Sequence, residues 1–496
     1  MMRCNWPPRL SRSNPMAKPT LLALAACLGL GACSLAPPLK VPPTPVAAQF
    51  RTQGPWTVAS PDDQANRDGW WRLYNDPQLE TMEQQLLRNN PDLSAALAHY
   101  QQAQGYVAQA RSGLFPTVSA IGNGQRIRQS DTKPLRSATS PDIYNSATLG
   151  LEVDYEVDLW GRVRDTVAAG TSDSEAAKAD LASVRLSLQA QLADSYLRLR
   201  GIDWQNQLLA QSRDAYAKAL SLTEGLHGGG IVSGLDVARA RTQLSTVKSQ
   251  LSQSQVQRAL LEHSIAAMLG ESASTYSVAV NVAPIALPTV PTGVPSSLLQ
   301  RRPDIAAAER RIAAANARIG VAKAAWFPQI TLSAQGGYQS DEFARLLSAP
   351  NLFWAIGPSL VGTLFDGGAR QAQVDIAKAA TDEAAAKYRG VVLAAFEQVE
   401  DNLSQLAGLG AALEDQRDAA AAAQYAEDLS TSRYRQGAVA YLDVVTAQVA
   451  ALDAKRSVLQ LQTQQLSANV GLIKALGGGW NVAQLATSNS TETKEK

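Results

Sequence analysis

Between residues 147 and 159 apolar and polar positions alternate with period two. Ala147, Leu149, Leu151, Val153, Tyr155, Val157 and Leu159 fall on one face, and Thr148, Gly150, Glu152, Asp154, Glu156 and Asp158 on the other. This is a strand pattern, and it exceeds the roughly 9–11 residues that a tilted membrane-crossing strand needs. A second alternation sets Ile330, Leu332, Ala334 and Tyr338 against Gln329, Thr331, Ser333, Gln335 and Gln339. The segments 114–130 and 354–366 alternate less cleanly and are read as strands partly from the repeat described below. An apolar outer face with a polar inner face is the pattern of a transmembrane barrel. A soluble sheet with one solvated face gives the same alternation, so the pattern alone leaves both open.

Elsewhere the period is seven. Val237, Leu244, Leu251 and Ile265 alternate with Ala240, Val247, Leu261 and Met268, broken by Ser254 and Arg258. Val444, Ala451, Val458 and Leu472 alternate with Ala447, Ala454, Leu461, Ala468 and Ala475, broken by Gln465. These are coiled-coil seams, and their alanines permit close helix approach. A dimerising rod would read the same way.

Self-comparison adds the decisive order. Pro91-Asp92-Leu93 precedes Phe115-Pro116 at the spacing with which Pro303-Asp304-Ile305 precedes Phe327-Pro328. Further on, an offset of 207 superposes Gly161 on Gly368, Gly230 on Gly437, and Leu235-Asp236-Val237 on Leu442-Asp443-Val444. The offset falls from 212 to 207 between Phe-Pro and Gly150, as an insertion in an exposed loop would cause. The chain is therefore two tandem copies of one unit. Each copy predicts a short helix ending before Phe-Pro, two strands, a long helix, a Gly-containing turn and a return helix. The long helices, 166–225 and 369–435, would measure about 90–100 Å at 1.5 Å per residue.

The N-terminus carries a targeting signal. Leu21–Ala32 is an apolar run behind Lys18, too short to span a bilayer and of the length of a signal-peptide core. Leu30-Gly31-Ala32-Cys33 looks like a lipobox, which makes Cys33 the lipid-attachment residue; Leu24-Ala25-Ala26-Cys27 fits the pattern after a shorter apolar run, so Cys27 is the alternative. Met16 opens a conventional signal peptide, in which case residues 1–15 are an untranslated upstream stretch. Ser34 after the cysteine resembles lipoproteins sorted to the outer membrane. Acyl chains would anchor the N-terminus at about 0.8 kcal/mol per buried methylene. Past the signal no apolar run reaches the roughly 18 residues of a transmembrane helix, so a membrane crossing must use strands.

Composition narrows the chemistry. All three cysteines, Cys4, Cys27 and Cys33, precede residue 34, and His99, His227 and His263 lie far apart. Neither a cysteine- or histidine-based metal site nor a nucleophile motif is expected, hence no cofactor and no enzyme. Removing residues 1–32 takes away Arg3, Arg9, Arg12 and Lys18 and leaves 41 basic against 44 acidic residues, which offers no nucleic-acid footprint.

The parts are expected as follows: 1–32 signal, 33–48 lipidated Pro-rich tether, 49–90 an N-terminal segment, and 91–270 repeat 1, with strands 114–130 and 146–159 and hairpin 161–270. A linker, 271–302, precedes repeat 2 at 303–477, with strands 327–340 and 354–366 and hairpin 368–477, and a tail, 478–496, follows. The fold class is mainly α with a transmembrane β-barrel. Four strands cannot close a barrel, so the chain must oligomerise, and three copies supply twelve strands.

Taken with Cys33-Ser34-Leu35-Ala36-Pro37, Asp158-Leu159-Trp160-Gly161-Arg162, Arg301-Arg302-Pro303-Asp304-Ile305, Ala325-Trp326-Phe327-Pro328 and Tyr434-Arg435-Gln436-Gly437 before Tyr441-Leu442-Asp443, the chain resembles the outer membrane factors. These are TolC-like channels, and the likeness is to their OprM-like lipoprotein branch. The resemblance implies a homotrimer with a 12-stranded barrel in the outer membrane lipid, a helical tunnel in the periplasm and an equatorial belt built by 49–90, 271–302 and the chain after 477. It implies a periplasmic adaptor and an inner-membrane pump, of the resistance-nodulation-division type for solute efflux; a type I protein-secretion channel is the alternative within channels, and a structural coiled-coil lipoprotein the alternative outside them. It places the tips at Gly230–Val237 and Gly437–Val444, with Leu235 and Leu442 near the constriction and Asp236 and Asp443 beside them. Gly230 and Gly437 ending the long helices, and the aspartates capping the return helices, would explain the same residues structurally. The carboxylate ring that OprM-like members carry one turn beyond the leucine is Thr446 here, which moves the expectation to Asp443. Glu152, Asp154, Glu156 and Asp158 are expected to line the lumen.

Overall fold

The computed structural model describes residues 34–43, 50–51, 69–134, 137, 139, 141–290 and 302–478. Cys27, Cys33, the rest of the signal and the tail beyond 478 lie outside the described residues. The elements, after a short 3-10 turn at Trp70–Tyr74, are α1 (Pro77–Asn89), α2 (Pro91–Ser112), β1 (Thr117–Arg128), β2 (Ile143–Glu156), α3 (Arg162–Gly228), α4 (Gly234–Met268), α5 (Pro303–Ala324), β3 (Gln329–Ser340), β4 (Leu352–Val361), α6 (Ala369–Arg435) and α7 (Tyr441–Ala475).

The helices of the two repeats match to the residue. α2 and α5 have 22 residues each, α3 and α6 have 67, and α4 and α7 have 35. Strand limits differ from the sequence expectation for a local reason. β2 stops at Glu156 because the Asp158 carboxylate turns to accept hydrogen bonds from the backbone N–H groups of Val163 and Arg164, at 3.1 and 3.0 Å, closing the start of α3. β4 stops at Val361, and Asp366 accepts in the same way from the Gly368 and Arg370 N–H groups before α6.

The chain divides into two compact units, and the long helices contribute to both. One, residues 1–41, 103–174 and 311–385, holds the sheet. Its strands are all antiparallel in the order β1-β2-β3-β4. Sequential hairpins join β1 to β2 and β3 to β4, and the β2–β3 pairing joins the two repeats. The helix ends in this unit form a layer in the same order. α3 meets α2 where Gly170 faces Val107 and Ala110, and meets α5 through Arg318 and Asp173. α5 meets α6 through Ile319, Ala322, Val374 and Ala377.

The other unit, 42–102, 175–310 and 386–496, holds the main core. Trp70, Trp71, Leu79 and Leu86 pack against Leu192 and Tyr196 of α3, Ile265 and Leu269, Val399 of α6, and Val470 and Ile473 of α7. The seam of α4 buries Ala240, Leu244, Val247, Leu251, Ile265 and Met268 as its heptads require. On α7 the buried stripe near the turn is Tyr441, Val444, Gln448 and Ala451, so Gln448 takes the place expected of Ala447. Arg258, which interrupts the α4 seam, pairs with Asp203 at 2.7 Å and donates to the Val278 carbonyl at 2.7 Å.

Arg200 is 1% exposed. Its guanidinium pairs with Asp76, the N-cap of α1, and donates to the carbonyls of Asn281 and Ala283 at 2.7 Å each. A charge this buried persists only with its partners in place.

Candidate functional site

In the sheet, register sorts side chains into two faces. One carries Val118, Ala120 and Gly122 of β1; Ala147, Leu149, Leu151, Val153 and Tyr155 of β2; Ile330, Leu332, Ala334, Gly336 and Tyr338 of β3; and Leu352, Trp354, Ile356, Pro358 and Leu360 of β4. Ser340, opposite Ala147 at one end, is polar; the rows between there and Tyr155 are apolar. Leu151, Trp354, Ile356 and Leu360 are 58%, 75%, 76% and 67% exposed, so among the described residues the face is uncovered except at its Ala147 end, where Ala147 is buried. From Ala147 to Tyr155 it extends about 27 Å along the strand at ~3.4 Å per residue, with Tyr155 toward one end, Tyr338 opposite Leu149 toward the other, and Trp354 level with Leu151 midway. Transmembrane barrels carry an apolar band of about this height, flanked by aromatics.

The opposite face carries Ser119, Asn123, Thr148, Glu152, Asp154, Thr331, Ser333, Gln335 and Ser359. At its middle Gly150 and Gly337 lie side by side. A Cβ on Gly150 would come within 2.7 Å of the Gly336 carbonyl oxygen, and one on Gly337 within 2.2 Å of that of Leu149. Only glycine lets the two repeats approach so closely here.

The four carboxylates expected on one surface have different fates. Glu152 lies between Ser119 and Gln335 across the ladder. Asp154 accepts from the Ser333 hydroxyl at 2.6 Å. Glu156 is held by both Nε and Nη2 of Arg162, at 2.7 and 2.5 Å, and by Gln329 at 2.8 Å. Asp158 lies beyond the strand, bound to the first turn of α3 and to Arg164. The Asp-Leu-Trp-Gly-Arg and Ala-Trp-Phe-Pro motifs meet at this foot of the sheet. Trp160 Nε1 donates to the Pro328 carbonyl at 2.8 Å, and its ring stacks on Phe327 at 4.6 Å. The Arg370 guanidinium sits 4.9 Å over the Trp326 ring.

Among the described residues both edges of the sheet are unpaired, β1 at one side and β4 at the other. The helix layer is open at the same two elements of the repeat. α6 has α5 on one flank and a 61% exposed Ile376; α2 has α3 on one flank and a 67% exposed Tyr106.

The turns between long and return helices are built alike. Gly230 and Gly437 have φ of 71° and 73°, the left-handed conformation that ends a helix. Leu235 and Leu442 stand on the first turns of α4 and α7, 58% and 48% exposed. The aspartates do not occupy the cap position. Ser233 caps α4, its hydroxyl accepting from the Asp236 N–H at 3.3 Å and donating to Asp236 Oδ2 at 3.0 Å, and Asp236 also pairs with Arg239 at 3.4 Å. In the second turn Ala440 stands at the cap, and Asp443 reaches back to accept from its N–H at 3.1 Å. The Thr446 hydroxyl donates to the Leu442 carbonyl at 2.9 Å. Tyr441 and Val444 pack on Ala240, which brings the two turns together.

Residues 83–271 and 294–478 match the family described as outer membrane efflux protein. The chain is 33% identical over 473 residues to the pyoverdine export outer membrane protein OpmQ of Pseudomonas aeruginosa, covering 94% of this chain and 98% of that one. It is 33% identical over 468 residues to the toluene efflux pump outer membrane protein TtgC of Pseudomonas putida, covering 94% and 96%. The solved structure of the outer-membrane channel OprN superposes with a TM-score of 0.82 at 30% identity, over 90% of this chain and all of that one.

Proposed function

This chain belongs to the outer membrane efflux protein family, and from that premise we propose that three copies close a 12-stranded barrel that passively conducts drugs or other small solutes out of the cell. Its location is the outer membrane and its role that of an efflux duct. The family comprises channels rather than enzymes.

The observation that carries the trimer is the pair of open edges on an uncovered apolar face. A four-stranded sheet with two free edges exposes unpaired backbone groups that lipid cannot satisfy. Because the strands alternate in direction, β4 of one copy meets β1 of the next antiparallel, and no further element is needed for closure. α6 of one copy then lies beside α2 of the next, repeating the neighbour relation of α3 and α5.

The tips at Leu235, Asp236, Leu442 and Asp443 are the contact for a periplasmic adaptor protein, and through it for an inner-membrane pump of the resistance-nodulation-division type. Acylation at Cys33 anchors the N-terminus. The relatives named for pyoverdine and for toluene are equally similar to this chain, in keeping with a duct that leaves substrate choice to its pump.

The test is single-channel recording of the purified protein in a planar bilayer, with its mass measured in mild detergent. Discrete conductance from a particle of three chains is expected. A particle of any other count, or three chains that stay silent after Leu235→Ala and Leu442→Ala loosen the tips, would overturn the reading.

A further inference from the structure

The segment that follows the signal cysteine is fastened to the sheet unit at several points. The Ser34 hydroxyl donates to Asp165 Oδ1 at 2.7 Å and accepts from the Ala36 N–H at 3.1 Å. Asn316 Nδ2 donates to the Pro37 carbonyl at 2.7 Å, and Lys323 Nζ to the Leu35 carbonyl at 3.3 Å. Between them lies Gly320, where an added Cβ would come within 2.0 Å of Asp165 Oδ2 and 2.8 Å of the Ala36 nitrogen. Asn316, Gly320 and Lys323 fall on one face of α5, at the helical spacing of four and three.

None of this is required by the repeat. The counterparts of Asn316, Gly320 and Lys323 in α2 are Gln104, Ala108 and Arg111, and the counterpart of Asp165 in α6 is Ala372. The same helices form there without the glycine or the acid. Asp165 is 4% exposed and its Oδ2 has no hydrogen-bond partner. Burial pushes its carboxyl up, against the Ser34 hydroxyl that favours the charged form. An acid kept at such a position, in one repeat only, has a specific occupant.

We propose that Asp165, Asn316, Gly320 and Lys323 form a cradle that seats Ser34–Pro37 and thereby fixes the acylated Cys33, one peptide bond upstream, at the end of the sheet where β2 stops and β3 begins. The second half of this statement rests on lipid attachment at Cys33. The acyl chains would then enter the bilayer at a set height beside the row of Tyr155, Leu332 and Pro358, so that anchor and barrel share one membrane register. Ser34 takes a second role beyond sorting, because alanine could neither donate to Asp165 nor accept from Ala36.

The test uses the full lipidated protein with Leu39→Cys carrying a nitroxide. Thioether linkage blocks the Cys33 thiol and the chain has no cysteine after residue 33, so the label reports the strap alone on the nanosecond scale. An immobilised spectrum is expected, lost in Gly320→Ala, in Asp165→Ala and in Ser34→Ala, and kept in Ala108→Gly. Ser34→Ala alters only the strap and keeps the test valid if a helix variant fails to assemble. A mobile label in the parent, or an immobile one in all three variants, overturns the cradle. Mass analysis of the N-terminal peptide separates the two halves: acyl groups on Cys27, or none, would overturn the anchor register, and the label is then read with Cys33→Ser so that it still sits at residue 39 alone, an immobile spectrum leaving the cradle standing and a mobile one overturning it.

Discussion

The two repeats share helix lengths to the residue, yet they diverge wherever additional chain packs against them. At position 200 the first repeat has Arg200, whose guanidinium holds Asp76 and the Asn281 and Ala283 carbonyls; its counterpart in the second is Ala407. Asp203 and Arg258 likewise correspond to Gly410 and Gln465. In the first repeat these three residues bind the segment around 278–283; the corresponding positions after the second repeat, 485–490, lie outside the described residues. Where both repeats need the same joint, chemistry changes but geometry does not. Asn90 donates to the carbonyl of Met268, at the end of α4, at 2.7 Å, and its counterpart Arg302 donates to that of Ala475, at the end of α7, at 3.0 Å. Backbone architecture is thus set by what both repeats keep, and asymmetry by what each alone must hold.

Breaking the asymmetric part should cost most. Arg200→Ala leaves Asp76 buried without its counter-charge, and about 3–5 kcal/mol of stability is expected to be lost, read as a fall in the thermal midpoint of the detergent-solubilised assembly. A drop no larger than that of an exposed substitution would show that water replaces the guanidinium. The shared joint tests equivalence. Arg302→Ala removes a charged donor that also binds Gln398 and Asp304, for about 2–3 kcal/mol, whereas Asn90→Ala removes a neutral one that also caps α2 by accepting from the Leu93 N–H, for about 1–2 kcal/mol. Equal losses would mean that only the helix-end carbonyl matters.

The tips sharpen the contrast further. Ser233→Ala should destabilise the first turn by about 1 kcal/mol, and Ala440→Ser should stabilise the second by a similar or smaller amount, seen as opposite changes in amide exchange over 230–240 and 437–447. The smallest effect concerns ions. Charges about 6 Å apart in water interact by roughly 0.7 kcal/mol, a factor of about three. Asp443→Asn should therefore reduce cation preference in planar bilayers by up to that factor and Asp236→Asn by less, since Arg239 already offsets Asp236. Glu152→Gln should likewise exceed Glu156→Gln, because Arg162 holds Glu156. Equal responses within either pair would show that Arg239 and Arg162 do not neutralise their carboxylate partners toward ions.

The sequence by itself determined the parts that depend on local periodicity. Period two marked the cores of β2 and β3, period seven the α4 seam, and the constant offset the duplicated unit and its glycine turns, because these signals need only neighbours along the chain. Element ends were less legible: Asp158 continues the alternation of β2, and Asp366 ends the weaker pattern of 354–366, but both are claimed by the helix that follows. What only the tertiary structure decided depends on residues far apart. The β2–β3 pairing, the Gly150–Gly337 approach, the cluster around Arg200 and the Ser34–Asp165–Gly320 cradle have no sequence period, since each arises from side chains that meet only after the long helices fold back. A glycine such as Gly320 or an acid such as Asp165 looks ordinary in a helix until the strand of chain lying against it is known.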